Sequence, residues 1–103
     1  KLPMTLVYIT CRNEQEAERI SMHLLKKRLI VCSNMFPIKS MYWWKGKIVD
    51  DKEHVLIAKT NNKNFKKLVI EAKKLHSYSI PCILKLNATA NKEYEAWAKK
   101  ELM

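Results

Sequence analysis

Apolar residues recur along this chain with two periods that replace each other, a period of two for strands and of three to four for helices. The predicted elements are, in chain order, a strand over 4–11, a helix to about residue 28, a strand over 29–36, a hairpin over 38–60, a helix over about 62–75, a strand over 80–88 and a helix after residue 91. The order βαββαβ plus a terminal helix predicts an α+β fold with two helices on one antiparallel sheet. We expect one domain over residues 1–103.

The long hairpin between the second and third strands is unusual because it is apolar on both faces almost to its tip. It holds Gly46, the only glycine of the chain, and two of the three tryptophans. Alternation places Tyr42 and Trp44 on one face and Met41 and Trp43 on the other. A chain of 103 residues has little material left to cover a second face, so we predict that another copy of the chain covers it.

The sheet edges favour the same prediction. In a βαββαβ sheet the second and fourth strands lie at the edges, where unpaired backbone groups invite pairing with another chain. Pro37 cannot donate a ladder hydrogen bond, so we expect it at an edge or at a bulge. The sequence therefore predicts a closed ring of identical subunits.

Motifs of enzymes are lacking. The chain has no nucleophile elbow, Walker loop, zinc-protease motif or dinucleotide-binding glycine motif. Asp50 and Asp51 are adjacent and would point to opposite sides of an extended chain. We interpret them as solubilising residues of the hairpin bend rather than as an acid–base pair, and we predict a protein that is not an enzyme.

The chain is strongly basic, with 20 Lys and Arg against 10 Asp and Glu and a net charge of +10. Most lysine pairs fall near the ends of predicted helices, where they complement the helix dipole. The strands also lack a platform of aromatic residues on which bases could stack, so a nucleic-acid partner is not expected. Lys63, Lys66 and Lys67 depart from this pattern, because they crowd the start of the second helix and predict an anion site there. No apolar run reaches the length of about 18 residues that a membrane span needs, so no membrane partner is expected.

Cysteine and histidine are the candidate metal ligands. Cys11, Cys32 and Cys82 cannot all pair and form no CxxC motif, so we interpret them as reduced thiols of a cytoplasmic protein. His76 opens a segment over 76–81 in which a helix end, a tyrosine and a proline converge. Because no two of these donors have ligand spacing on one element, we predict weak binding that uses His76 with Cys82 or Cys11.

Short motifs spread over nearly the whole chain are similar to those of the CutA divalent-cation tolerance proteins. These motifs are TC at 10–11, LIVCSN at 29–34, SMYWWKGK at 40–47, KT at 59–60, HSYSIP at 76–81 and YEAW at 94–97. The resemblance implies a ferredoxin-like fold, a homotrimer with a sheet continuous between subunits, and a role in tolerance of copper or another divalent cation. It carries His76 over as a copper ligand. Ser77 and Cys82 stand where the family usually has proline and often has an acidic residue, and Ile9 aligns with a cysteine of the copper-linked bacterial members.

The function predicted from these observations is that of a trimeric, non-enzymatic protein of divalent-cation tolerance or signalling that binds metal weakly. One alternative is a sensor of small ligands or anions with a cleft between subunits, in which Tyr78 and His76 face Trp43 and Trp44 of a neighbouring hairpin. A less favoured alternative is a basic nucleic-acid binder.

Overall fold

The computed structural model describes residues 4–103, so the first three residues of the predicted domain range lie outside the described residues. The elements are β1 Met4–Cys11, α1 Glu14–Lys26, β2 Cys32–Trp44, β3 Lys47–Thr60, a short 3-10 turn Asn62–Asn64, α2 Phe65–Leu75, β4 Ile83–Ala88 and α3 Lys92–Glu101. This order confirms the predicted α+β fold, in which a ferredoxin-like βαββαβ unit carries a long β2–β3 hairpin and a terminal helix.

The strands form one antiparallel sheet in the order β2-β3-β1-β4, which confirms that the second and fourth strands lie at the edges. The β2–β3 register runs without interruption from Cys32 opposite Lys59 to Trp44 opposite Lys47. Pro37 pairs within that register opposite His54, so it marks an edge strand and not a bulge. An edge strand tolerates proline because its missing N–H can point away from the sheet.

Two predicted boundaries of the strands are wrong. β2 begins at Cys32 rather than at residue 29, because Leu29 and Ile30 are buried in the connection that follows α1. β4 begins at Ile83 rather than at residue 80, because the preceding segment folds against the end of β1 through the hydrogen bonds of His76.

The hairpin turns through Lys45 and Gly46, whose φ angles are 50° and 77°. Two successive positive φ angles are typical of the type I′ turn that matches the twist of a two-residue hairpin. The prediction that Asp50 and Asp51 form the bend is therefore wrong, since both lie within β3. Asp51 accepts a hydrogen bond from the Tyr42 hydroxyl at 3.1 Å.

The first helix begins with a capping box. The Asn13 side chain accepts from the backbone N–H of Glu16 at 2.9 Å, and Glu16 Oε1 accepts from the N–H of Arg12 at 2.8 Å. The helix ends in a Schellman arrangement, with Arg28 at a φ of 60° and the N–H of Leu29 donating to the Leu24 carbonyl. Leu25 is 37% exposed, whereas Leu24 beside it is buried.

Helices α1 and α2 cover one face of the sheet, and the hydrophobic core lies between them and that face. The opposite face, which we call the open sheet face, is apolar, and neither α1 nor α2 covers it. Its side chains, which share one side of the sheet by strand register, are Leu6, Tyr8, Phe36, Ile57, Leu84 and Leu86. Leu84 and Leu86 are each 52% exposed. Alternation along β2 and β3 thus leaves a large apolar surface beside two open edges.

The third helix packs only partly. Ala98 is buried and Met103 donates its N–H to the Arg28 carbonyl at 3.0 Å, which fastens the end of the chain beside the end of α1. Trp97 is 44% exposed, and its ring centroid lies 5.3 Å from that of Tyr94.

Candidate functional site

His76 lies at the C-terminal cap of α2 and is fixed through both ring nitrogens. The backbone N–H of Tyr78 donates to Nδ1 at 3.1 Å, so Nδ1 is an acceptor. Nε2 lies 2.8 Å from the Thr10 carbonyl oxygen, which can only accept, so Nε2 carries the proton. The geometry therefore selects the neutral Nε2–H tautomer.

Glu16 and Cys11 complete a group of three possible donors with His76. One ligand atom from each residue lies within 4.8 Å of the others. Both Cys11 and Glu16 are fully buried, at the end of β1 and in the first turn of α1. The structure thus brings His76 beside Cys11 and Glu16, which lie 65 and 60 positions earlier in the chain.

Glu16 is held as a carboxylate. Burial alone would raise its pKa, but hydrogen bonds from the backbone N–H groups of Arg12 and Ser77 outweigh that effect and lower it. The Ser77 bond to Oε2 measures 2.8 Å. Glu16 therefore joins the start of α1 to the segment that follows α2.

Cys11 is held as a neutral thiol. Burial, followed by the nearby charge of Glu16, raises the pKa of its thiol to about 12. A thiol needs to lose its proton to act as a nucleophile or as a strong metal ligand. At neutral pH Cys11 is accordingly a protonated thiol beside Glu16 and His76, whose hydrogen bonds go to backbone groups.

The structure places the metal ligands predicted from the sequence in two different locations. His76 and Cys11 lie together as a possible pair, whereas Cys82 lies outside the group of three. Glu16 was not among the metal ligands predicted from the sequence. The capping box was the available signal, since it fixes one carboxylate oxygen and leaves the other to reach a distant part of the chain.

A second feature is a cleft of about 920 Å³ between the outer part of the hairpin and the segment that follows α2. We call it the aromatic cleft. It is lined by Thr10, Ser40, Met41, Tyr42, Trp43, Trp44, Glu53, Ser77, Tyr78, Ser79, Ile80 and Cys82. The three residues predicted for a cleft, Tyr78, Trp43 and Trp44, all line it within one chain; a contribution from a neighbouring hairpin stays a prediction.

Two phenol–carboxylate pairs order the aromatic cleft. The Tyr78 hydroxyl donates to Glu53 Oε2 at 2.5 Å, and Tyr42 donates to Asp51. Burial, and after it the hydrogen bond to Glu53, raises the pKa of Tyr78. Burial, and after it the hydrogen bond to Asp51, likewise raises the pKa of Tyr42. Both phenols are therefore protonated at neutral pH and act as donors.

The lysines predicted to hold an anion, which we call the second-helix lysines, are all exposed. Lys63 lies in the 3-10 turn, and Lys66 and Lys67 lie in the first turn of α2. Lys63 lines a second cavity of about 810 Å³ together with Lys92 and Lys99, and the other two second-helix lysines are not part of that lining. The anion site at the start of α2 stays a prediction.

Among residues 4–103 no helix is both long enough and apolar enough to cross a membrane. The cysteines in this range, Cys11, Cys32 and Cys82, are all free thiols.

Comparison with known proteins relates this arrangement to one family. The family described as CutA1 divalent ion tolerance protein matches residues 5–101. The divalent-cation tolerance protein CutA of Thermotoga maritima is 46% identical over 97% of this chain and 100% of its own length. The chloroplastic protein CutA 1 of rice, Oryza sativa subsp. japonica, is 33% identical over 95% of this chain and 56% of its own length.

Solved structures agree with the sequence relatives. The periplasmic divalent cation tolerance protein CutA from Archaeoglobus fulgidus superimposes with a TM-score of 0.95 at 40% identity, covering 97% of this chain and 99% of that one. CutA1 from Pyrococcus horikoshii superimposes with a TM-score of 0.92 at 35% identity, covering 96% and 98%. The Archaeoglobus relative is called periplasmic and the rice relative chloroplastic.

Proposed function

The chain belongs to the CutA1 divalent ion tolerance protein family, and from that membership we propose that it is a homotrimeric, non-enzymatic protein of cation tolerance or signalling that binds a transition-metal ion weakly. The observation that carries the metal-binding part is the gathering of Cys11, Glu16 and His76 within 4.8 Å. Thiolate, imidazole and carboxylate together suit copper or zinc better than magnesium or calcium.

The donors fit such an ion in type but not in their present state. A metal at His76 has to displace either Tyr78 N–H from Nδ1 or the proton of Nε2 that faces Thr10. A metal at Cys11 has to release the proton of a thiol whose pKa is about 12. Because each ligand gives up an existing bond or proton, we expect weak affinity that increases with pH.

The same protonated thiol supports a role without catalysis. A catalytic cysteine needs a depressed pKa and partial exposure, whereas Cys11 is buried with a raised pKa. The Tyr78 and Glu53 side chains, the other candidate pair for proton transfer, are bonded to each other. The free thiols support a reducing compartment, and we propose the cytoplasm.

Assembly is supported by the open sheet face and by the two unpaired edges, β2 and β4. The face of the hairpin opposite to the open sheet face is also exposed, since Trp43 on that face is 72% exposed. A closed ring of three copies would cover these surfaces and pair the edges.

The metal-binding part is tested by titrating Cu(I), Cu(II) and Zn(II) against a competing chelator. We expect weak binding in the wild type, a large loss in His76→Ala and in Cys11→Ser, and little change in Cys82→Ser, which is the matched control for loss of a thiol. Circular dichroism checks that each variant folds. Submicromolar affinity that survives His76→Ala and Cys11→Ser would refute the proposal, and a loss confined to Cys82→Ser would move the site into the aromatic cleft.

A further inference from the structure

The cavity of about 810 Å³ that Lys63 lines, which we call the lysine cavity, lies between α3 and the connection from β3 to α2. Its charged lining residues are Lys63, Lys92, Lys99 and Glu95. Within residues 4–103 none of the three lysine ammonium groups forms an ion pair. Glu95 already accepts the backbone N–H of Ala90 at 3.3 Å. The lysine cavity therefore has an excess of positive charge.

Two side-chain amides add hydrogen-bond donors of the kind that an anion needs. Asn61 and Asn62 both line the lysine cavity. Asn61 Oδ1 accepts from the N–H of Asn64 at 2.9 Å, and Asn62 Oδ1 accepts from the Lys85 ammonium at 2.7 Å. Because both oxygens are engaged, these two residues can offer a ligand the N–H groups of their amides.

The buried part of the lining is apolar. Met4 is 7% exposed and Ala98 is 3% exposed, and Ala96, Leu102 and Met103 also line the cavity. The three lysines, by contrast, are exposed. The volume lies within the size range of small-molecule sites and is far larger than a single inorganic ion needs. This arrangement suits a ligand that has an anionic group and an apolar body.

The lysine cavity lies apart from the surfaces that the proposed trimer covers. Among residues 4–103 its lining takes none from the edge strands β2 and β4 and none from the outer part of the hairpin. Thr60, which lines the cavity, is at the opposite end of β3 from the turn at Gly46. Met4 lies on the same side of β1 as Leu6 of the open sheet face, but it is already buried in the single chain.

The orientation of α3 also separates the cavity from the open sheet face. Lys92 and Lys99 are seven residues apart, which is about two turns, so they share one flank of the helix. Tyr94 lies about 200° around the helix from Lys92. Its ring centroid is 5.4 Å from the Nζ of Lys59, which pairs with Leu6 and shares the side of the open sheet face. Covering that face in a ring therefore leaves the flank with the two lysines accessible.

We propose that the lysine cavity binds a small organic anion, a carboxylate carried on an apolar chain. The carboxylate lies among the three ammonium groups and the two amides, and the apolar chain contacts Met4 and the apolar side chains of α3. Each subunit holds one such ligand, and the site stays open in the trimer. Lys66 and Lys67 do not line it, so it differs from the anion site predicted at the start of α2. It also goes beyond the proposed role in cation tolerance.

Three probes separate the charge of the ligand from its apolar chain. Sodium hexanoate has both features, sodium acetate lacks the long chain, and hexan-1-ol lacks the charge. Isothermal titration calorimetry of the assembled wild type at low ionic strength, with sodium chloride as the salt control, gives affinity and stoichiometry. We expect hexanoate to saturate at one ligand per chain. Acetate and hexan-1-ol should each bind at least tenfold more weakly, because each loses one of the two kinds of contact.

Substitutions of exposed lysines locate the site without disturbing the core. Lys63→Gln, Lys92→Gln and Lys99→Gln should each weaken hexanoate binding by about threefold, as expected for one exposed charge contact, and the triple variant by more than tenfold. Lys67→Gln is the matched control, since it removes one positive charge nearby but outside the lining, and it should leave affinity unchanged. Light scattering checks that every variant keeps the assembly of the wild type.

Several results would overturn the inference. Acetate that binds as tightly as hexanoate would show attraction by charge alone, and equal binding of hexan-1-ol would show an apolar hole without charge recognition. Full affinity in the triple variant, or an equal loss in Lys67→Gln, would place the anion elsewhere. One ligand for every three chains would place it on the axis of the ring.

Discussion

Leu84 and Leu86 lie on the open sheet face, and a charge placed there is the sharpest test of assembly. Each side chain is 52% exposed in the single chain. Full burial of a leucine contributes about 1.5–3 kcal/mol, so covering the exposed half contributes roughly 1 kcal/mol per residue. Leu84→Glu would lose that contribution and would bury an unpaired carboxylate, which costs several kcal/mol. Because a ring repeats the change three times, we expect Leu84→Glu to abolish the trimer while the single chain, in which this position is half exposed, still folds.

Light scattering coupled to size-exclusion chromatography at micromolar concentration measures this effect. The wild type should have a mass of about 37 kDa, three times the 12.2 kDa of the chain, and Leu84→Glu should approach the mass of one chain. Ile70→Glu is the matched control, since Ile70 is 58% exposed on α2, on the side of the sheet away from the open face. Trp44→Lys in the hairpin should also disrupt the ring. A monomeric wild type, or a trimer that survives both Leu84→Glu and Trp44→Lys, would show that the apolar surface has another purpose.

Three smaller perturbations test individual contacts. The pKa of Glu71 is lowered from 4.5 to about 2, mainly by its hydrogen bond from Lys74 and then by that with His23. The ionised Glu71 carboxylate therefore stabilises the fold fully above its unfolded pKa, and this stabilisation is lost as pH falls toward about 2. Urea midpoints of the wild type and of Glu71→Gln should converge across that pH range, and midpoints that stay parallel would contradict this assignment. Arg28→Gly should be about 1 kcal/mol more stable than Arg28→Ala in thermal unfolding, because both lose the exposed ion pair to Glu101 at 2.6 Å but only glycine relieves the positive φ. Sulfate should raise the melting temperature of the wild type more than that of a variant with all three second-helix lysines changed to Glu; equal shifts would remove the anion site.

Most of the fold could be predicted from the sequence because it depends on local periodicity. The bounds of β1 and the edge positions of β2 and β4 follow from apolar spacing and from element order. The predicted hairpin bend wrongly included Asp50 and Asp51, although Gly46 marks the true turn. Two positive φ angles fix the turn at Lys45 and Gly46, and the more polar residues after it continue the strand.

The aromatic cleft was only partly predictable for a different reason. Its aromatic residues stand out in the sequence as unusual, and their exposure follows from alternation along a two-sided hairpin. Glu53 does not stand out, because nothing local distinguishes it from the other charged residues of β3. Its role follows from a contact with Tyr78, which is 25 residues away and is positioned by a loop rather than by a regular element.

The donor group at His76 shows the same limit and also bears on what a metal would do to the protein. Glu16 binds the N–H of Arg12 with one oxygen and the N–H of Ser77, 61 residues further on, with the other. His76 ties the same segment to Thr10. The three donors that could hold a metal therefore include two that hold the segment after α2 against the end of β1. A metal bound by Glu16 and His76 would have to replace those hydrogen bonds, so its net affinity is the coordination energy minus the energy of the contacts it breaks. Because that same segment lines the aromatic cleft through Ser77 and Tyr78, a metal that breaks these hydrogen bonds would also loosen one wall of the cleft.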